Sequence, residues 1–265
     1  MRISKKTTGR KVGLGMLLAG TALCAAFTWA GPSIDNTLSC GLGLPPGSPG
    51  YAEAEAQKEL EAQTKGYLSV CDANLDRYRI AFAPLAEATT HLAFQPVDLS
   101  GTQFSHFVSL GGKSESESNV LSRLYRGFRT PDGHIVTLFE HDMSADGSIS
   151  TRNPQDEPER IHGLPARLMV FQTPAGKAIS HLSWLEQRRW YELWIDANVV
   201  ATPLREQLFS LASSLPASLP ACPNERPPEL FQMGPDGFPL VEPPPRTINE
   251  ADMAALLHPA KRPCK

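Results

Sequence analysis

Two segments of the chain, Phe128-Arg129-Thr130-Pro131-Asp132-Gly133 and Phe171-Gln172-Thr173-Pro174-Ala175-Gly176, carry the same local instruction. Proline fixes the first corner of a turn and glycine accepts the positive backbone angle that follows, so each segment closes a short β-hairpin loop. The flanking runs have period-two character: Arg123 to Arg129, Ile135 to His141, Arg167 to Thr173 and Ala178 to Leu185. A fifth run, Trp190 to Asp196, follows the polar turn Glu186-Gln187-Arg188-Arg189. Strands joined this closely run antiparallel, so the stretch from Leu121 to Pro216 is expected to hold an antiparallel meander with its register pinned by the turns.

The fifth run sets Tyr191, Leu193 and Ile195 on one face and Trp190, Glu192 and Trp194 on the other, with Trp184 on the preceding strand. Apolar residues on both faces require cover on both. One arrangement places the helix after Thr202 over one face and the amino-terminal segment over the other. A second leaves Trp184, Trp190 and Trp194 lining a groove for a partner or ligand, since aromatics are enriched at binding centres. The helix itself is well signalled. Thr202 suits the cap, Pro203 the first helical position, Leu204, Leu208, Leu211 and Leu215 form one apolar stripe, and Pro216 ends it.

The chain opens with five basic and no acidic residues up to Lys11, followed by an uncharged apolar stretch from Val12 to Ala30. Residues 1–30 are therefore expected to be a secretory signal peptide, with Thr28 and Ala30 as the small residues before a cut at Gly31, or a membrane anchor through residues 12–30. Cys24 follows Leu23, a poor neighbour for a lipidated cysteine, and there is no twin-arginine pair. Either way the remainder is exported, to the periplasm or facing it from the inner membrane. Beyond Cys24 lie Cys40, Cys71, Cys222 and Cys264, an even number suited to two disulfides; sequence proximity favours Cys40 with Cys71 and Cys222 with Cys264. Their spacing is unlike that of a zinc site, and no metal is expected. Removing the leader takes five of the 25 basic residues and leaves 20 against 28 acidic ones, a net charge of −8, which argues against nucleic acid as a partner.

Residues 31–50 read as a loop held by Cys40. Tyr51 to Lys65, rich in alanine, glutamate and glutamine, reads as a helix with a small-residue apolar side. Leu68 to Ala93 reads as a second helix, or one broken near Pro84. Phe104, His106 and Val108 suggest a strand within Val97 to Leu110, and the serine and glutamate alternation of Gly111 to Asn119 suggests a solvated loop. His106, His141, His162 and His181 stand in no recognised catalytic or ligand spacing. The run from Asp142 through Ser144, Asp146 and Gly147 superficially resembles a calcium loop, but Asn153 stands where its closing acidic residue belongs, so a turn is expected. There is no nucleophile elbow, phosphate loop or helical histidine pair, and no cofactor or catalytic residue is assigned.

Pro216 to Pro245 contains ten prolines, a density that implies an extended arm. Thr247 and Glu250 then form a capping box before a short helix, Ala251 to His258. A bridge between Cys222 and Cys264 would close the arm into a lasso that wraps the domain surface or displays a segment for a partner.

Leu182-Ser183-Trp184 before a polar turn, then Trp190-Tyr191-Glu192-Leu193-Trp194, then the helix ending Leu208-Phe209-Ser210-Leu211-Ala212-Ser213-Ser214-Leu215, resembles the end of an uncharacterised extracytoplasmic domain. Such domains occur on some bacterial transmembrane anti-sigma factors and stand-alone envelope proteins. Over residues 164–216 the resemblance implies a sensor or binding module with a curved antiparallel sheet, packed helices and no known active site. Anti-sigma factors carry a cytoplasmic domain before the membrane segment, whereas only about eleven residues precede the apolar stretch here, so sigma-factor control is not expected.

The expectation is a single α+β domain over residues 31–216, with a central antiparallel meander sheet of about five to seven strands, packed helices and a proline-rich carboxy-terminal arm over residues 217–265. The expected function is that of a non-catalytic bacterial envelope protein that binds another protein, as a sensor, an accessory subunit or a toxin-immunity protein. The alternative is an exported hydrolase or small-ligand carrier with a site assembled around His141, Glu140 and Asp142. An enclosed polar pocket around His141 would favour the second; an exposed apolar patch around Trp190 and Trp194 would favour the first.

Overall fold

The two matched hairpins form as their residues dictate. The Thr130 amide donates to the His134 carbonyl at 2.9 Å and the Thr173 amide to the Lys177 carbonyl at 2.8 Å, while Gly133 and Gly176 take φ values of 94° and 84°. The computed structural model describes residues 40, 43–117, 119–148, 150, 157–218, 234–236, 238 and 240. Residues 1–30, Asn153, Cys222, Cys264, the helix expected at 251–258 and most of the proline-rich arm lie outside the described residues.

An eight-stranded mixed sheet carries the fold, with helices on both faces, so the architecture is α+β. Its strands are β1 (Leu68–Ser69), β2 (Val108–Glu117), β3 (Val120–Arg129), β4 (Ile135–Asp142), β5 (Glu159–Ile161), β6 (Leu164–Gln172), β7 (Ala178–Glu186) and β8 (Arg189–Ile195). The order is β1-β6-β7-β8-β4-β3-β2, with β5 pairing β6. This is not one continuous meander. Two antiparallel meanders, β2 to β4 and β6 to β8, are joined where β4 pairs with β8, Leu138 opposite Leu193. β1 adds a parallel edge, Leu68 opposite Phe171.

The first cover arrangement is the one observed. Tyr191, Leu193 and Ile195 join Val136, Leu138, Leu182 and Trp184 in the larger core, closed by Phe104 and by α5 (Pro203–Ser213) through Leu208, Leu211 and Ala212. Thr202 departs from expectation: its hydroxyl bonds to the Val199 carbonyl at 3.0 Å instead of capping the helix, and Pro203 alone marks the start. On the opposite face Trp194 and Phe171 pack beneath Leu68, Val70, Leu75 and Tyr78.

Leu68 to Ala93 is not a long helix. It comprises β1, the single turn α2 (Asp72–Asp76), an antiparallel bridge between Ala83 and Gly112, and α3 (Leu85–Thr89). Phe82 explains part of this: its ring lies where a Cβ on Gly127 would come within 2.3 Å, so the segment is pressed flat on β3 at a glycine. Gln103–His106 forms a 3-10 turn, and the polar stretch read as a loop is the body of β2. The helix expected at Tyr51–Lys65 is present as α1, flanked by Gly50 and Gly66 in left-handed conformation.

Candidate functional site

Four charged side chains stand at inward-facing positions of the sheet, in phase with its apolar residues. Arg126 on β3, Glu140 and Asp142 on β4 and Arg189 on β8 are all buried, Glu140 completely. Two cations and two anions close a neutral network: Arg126 Nη2 bonds to Glu140 Oε1, and Arg189 Nη2 donates to Asp142 Oδ2 at 2.7 Å. Further bonds go to backbone. Glu140 Oε2 accepts the Val97 amide at 2.8 Å, Arg126 donates to the Val97 carbonyl at 3.0 Å, and Arg189 donates to the Gln95 carbonyl at 2.9 Å while its guanidinium lies 4.8 Å from the Phe94 ring centroid. Asp142 Oδ1 caps the turn α4 (Met143–Asp146) by accepting the Ser144 and Ala145 amides. The network pins residues 94–97 to the sheet. Such a pair is costly to assemble and more costly to break on one side only.

His141 alternates to the other side of β4 and belongs to a separate cluster. Its Nε2 lies 2.7 Å from Asp146 Oδ2, the same oxygen that accepts the Ser122 hydroxyl at 2.5 Å, and Asp146 Oδ1 accepts the Ser148 amide at 2.7 Å. Burial by itself would raise the Asp146 pKa; the hydrogen bonds from His141, Ser122 and Ser148 outweigh it and bring it down to about 2. A serine nucleophile needs the histidine as its proton acceptor. Here both side chains bond the same carboxylate oxygen and Ser122 is fully buried, so the arrangement holds a turn in place and offers no nucleophile and base pair. The set His141, Glu140 and Asp142 is thus divided between two clusters, each turned onto the protein's own groups.

The three tryptophans are likewise separated. Trp184 is buried in the larger core, stacked on Tyr191 with ring centroids 5.1 Å apart. Trp194 lies on the opposite face, edge-on to Tyr78 at 4.8 Å, and its indole donates to Glu192 Oε2 at 3.0 Å. Burial opposes ionisation of Glu192, but the nearby His181 and the hydrogen bond from Trp194 prevail and hold its pKa below the usual carboxylate value. His181 Nε2 lies 3.2 Å from Glu192 Oε2 without the alignment of a hydrogen bond. Trp190 shares this face and is half-buried, so of the expected groove residues Trp190 and Trp194 lie on one side and Trp184 on the other. Sequence reasoning passed over Arg126 and Tyr78, read Arg189 as part of a polar turn and weighed Asp146 only as part of a calcium loop. The signal for the two arginines was there: a charge in phase with the apolar positions of a strand is either buried and paired or a fault in the assigned face.

Cys40 and Cys71 form a disulfide with their Cα atoms 5.0 Å apart. Among the described residues no group of histidine, cysteine, aspartate and glutamate side chains is arranged to hold a metal ion, and no helix is long and apolar enough to cross a membrane. Neither a family model, nor a curated protein, nor a solved structure matches this chain.

Proposed function

We propose that this chain is a non-catalytic bacterial envelope protein that binds another protein, as a sensor, an accessory subunit or a toxin-immunity type of neutraliser. The observation that carries the reading is the use made of its buried polar groups. A catalytic acid or base needs a valence directed at substrate. Glu140, Asp142 and Asp146 direct theirs at Arg126, Arg189, Ser122, His141 and nearby backbone amides, which is the chemistry of fastening. That use of the buried groups supports a function carried by the surface. The leader pattern and the Cys40–Cys71 bridge support export, because disulfides persist in oxidising compartments. The net charge of −8 beyond the leader favours a basic partner, which opposite charge would steer into contact. Trp190, half-buried on the same face as Trp194, is the tryptophan on which contact would be centred.

The test is a cross-linked capture from native envelope with the intact chain and with a Trp190→Ala variant shown to be folded by circular dichroism, followed by reconstitution with the purified candidate. A protein that binds the intact chain and binds the variant at least about tenfold more weakly supports the reading, as expected for an aromatic anchor. Failure of every captured protein to bind in the purified system would overturn it.

A further inference from the structure

Helix α1 is anchored at its ends and hardly along its length. Of its 15 residues only Ala54 is buried, and half-buried Ala62 touches the cluster under Tyr78. The carboxy-terminal end is fixed by packing: Gly66 sits with φ 75° so close to Val200 that a Cβ would come within 2.8 Å of it, and the chain passes directly into β1. The side-chain ties from Glu61 and Lys65 to Ser69 belong to this same end. At the other end the connection to the body is covalent. Cys40 is bridged to Cys71 just before α2, and the Cys40 carbonyl also accepts the Cys71 amide at 3.3 Å and Asn74 Nδ2 at 2.8 Å. Gly47 donates to the Asp236 carbonyl, a residue of the carboxy-terminal arm and not of the sheet. Both cysteines are half-buried at the surface.

We propose that Cys40–Cys71 is a thiol–disulfide exchange site acting as a reducible clip, which a dithiol reductant opens to release residues 43–66 while the sheet stays folded. A thiolate of the reductant attacks one Sγ, the Sγ–Sγ bond breaks, and the other cysteine leaves as a thiolate. The second thiol of the reductant then displaces the mixed disulfide. The reductant leaves as a cyclic disulfide, its two electrons reside on the two cysteine sulfurs, and its two thiol protons complete the pair of cysteine thiols. A 15-residue helix is marginal in water by itself, and packing at its carboxy-terminal end alone leaves the docking of α1 dependent on the clip. Leu68, Val70, Leu75 and Tyr78 do not, because they are packed against Phe171 and Trp194. The bridge spans 31 positions in sequence, and chain entropy for a loop of that length corresponds to a change in the opening equilibrium of about two to three orders of magnitude.

Hydrogen exchange read by mass spectrometry on the full chain tests this, comparing the oxidised protein, the protein treated with dithiothreitol under native conditions, and a Cys40→Ser/Cys71→Ser double variant, which isolates this bridge from the other cysteines. The expected result is exchange at least about 100-fold faster over Tyr51–Lys65 in the reduced protein and the variant, with β3, β4, β7 and β8 unchanged. Equal protection of α1 in all three samples overturns the proposal. So does loss of protection in the sheet in step with α1, which would make the bridge a support of the whole fold, and so does a bridge that dithiothreitol leaves intact.

Discussion

Replacing Glu140 by glutamine keeps the shape of the side chain and removes one charge from a neutral buried set. Arg126 and Arg189 would then face Asp142 alone, leaving one uncompensated cation in a site where Glu140 is completely buried and both arginines are less than one-tenth exposed. The charge-assisted bond to the Val97 amide at 2.8 Å becomes an ordinary one, and the anchor of residues 94–97 weakens with it. Breaking one side of a buried ion pair costs about 3 to 5 kcal/mol, a large share of a typical total stability of about 5 to 15 kcal/mol. Urea unfolding followed by tryptophan fluorescence, with the disulfide kept oxidised, should move its midpoint down by about 1.2 to 2 M if the slope is about 2.5 kcal/mol/M. The companion double variant Arg126→Met/Glu140→Met removes charge from both partners and should be less destabilised than Glu140→Gln, because no buried charge is newly left alone. A loss below about 1 kcal/mol for Glu140→Gln would refute the reasoning, since it would mean that water reaches the network.

Two further outcomes follow from the packing and the titration. Leu208→Ala, at a fully buried position of α5, should cost about 2 to 5 kcal/mol in the same unfolding assay, and an unaltered midpoint would mean that α5 does not close the larger core. The depressed pKa of Asp146 contributes stability that is fully present above the ordinary aspartate value and is lost as pH falls from about 4 toward about 2. The corresponding loss is about 2 kcal/mol, and comparing wild type with Asp146→Asn at pH 6 and pH 2.5 isolates it from other carboxylates such as Glu192. Identical pH dependence in the two proteins would show that the bonds from His141, Ser122 and Ser148 do not hold the carboxylate ionised.

By itself the sequence determined what depends on a few adjacent residues. Thr130-Pro131 with Gly133 and Thr173-Pro174 with Gly176 specify their turns through local backbone angles, so both hairpins could be read directly. The alternation of Trp190 to Ile195 assigned β8 its two faces, and Pro203 with the leucine stripe located α5. The tertiary structure decided everything that required two distant segments to meet. The turns could not say that β4 would pair with β8 and join two meanders, because that choice depends on which faces bury each other. β2 was hidden because an edge strand, met on its outer side by the Ala83–Gly112 bridge, carries serine and glutamate where a central strand would carry valine or isoleucine. The stretch after Leu68 lost its helix to the flat packing of Phe82 on Gly127 and to the Ala83–Gly112 bridge, contacts that override local propensity. For the candidate site the division is the same. Glu140, His141 and Asp142 are adjacent in sequence, yet strand alternation and distant partners divide them between two clusters, because a polar group removed from water must bond to whatever the fold places opposite it.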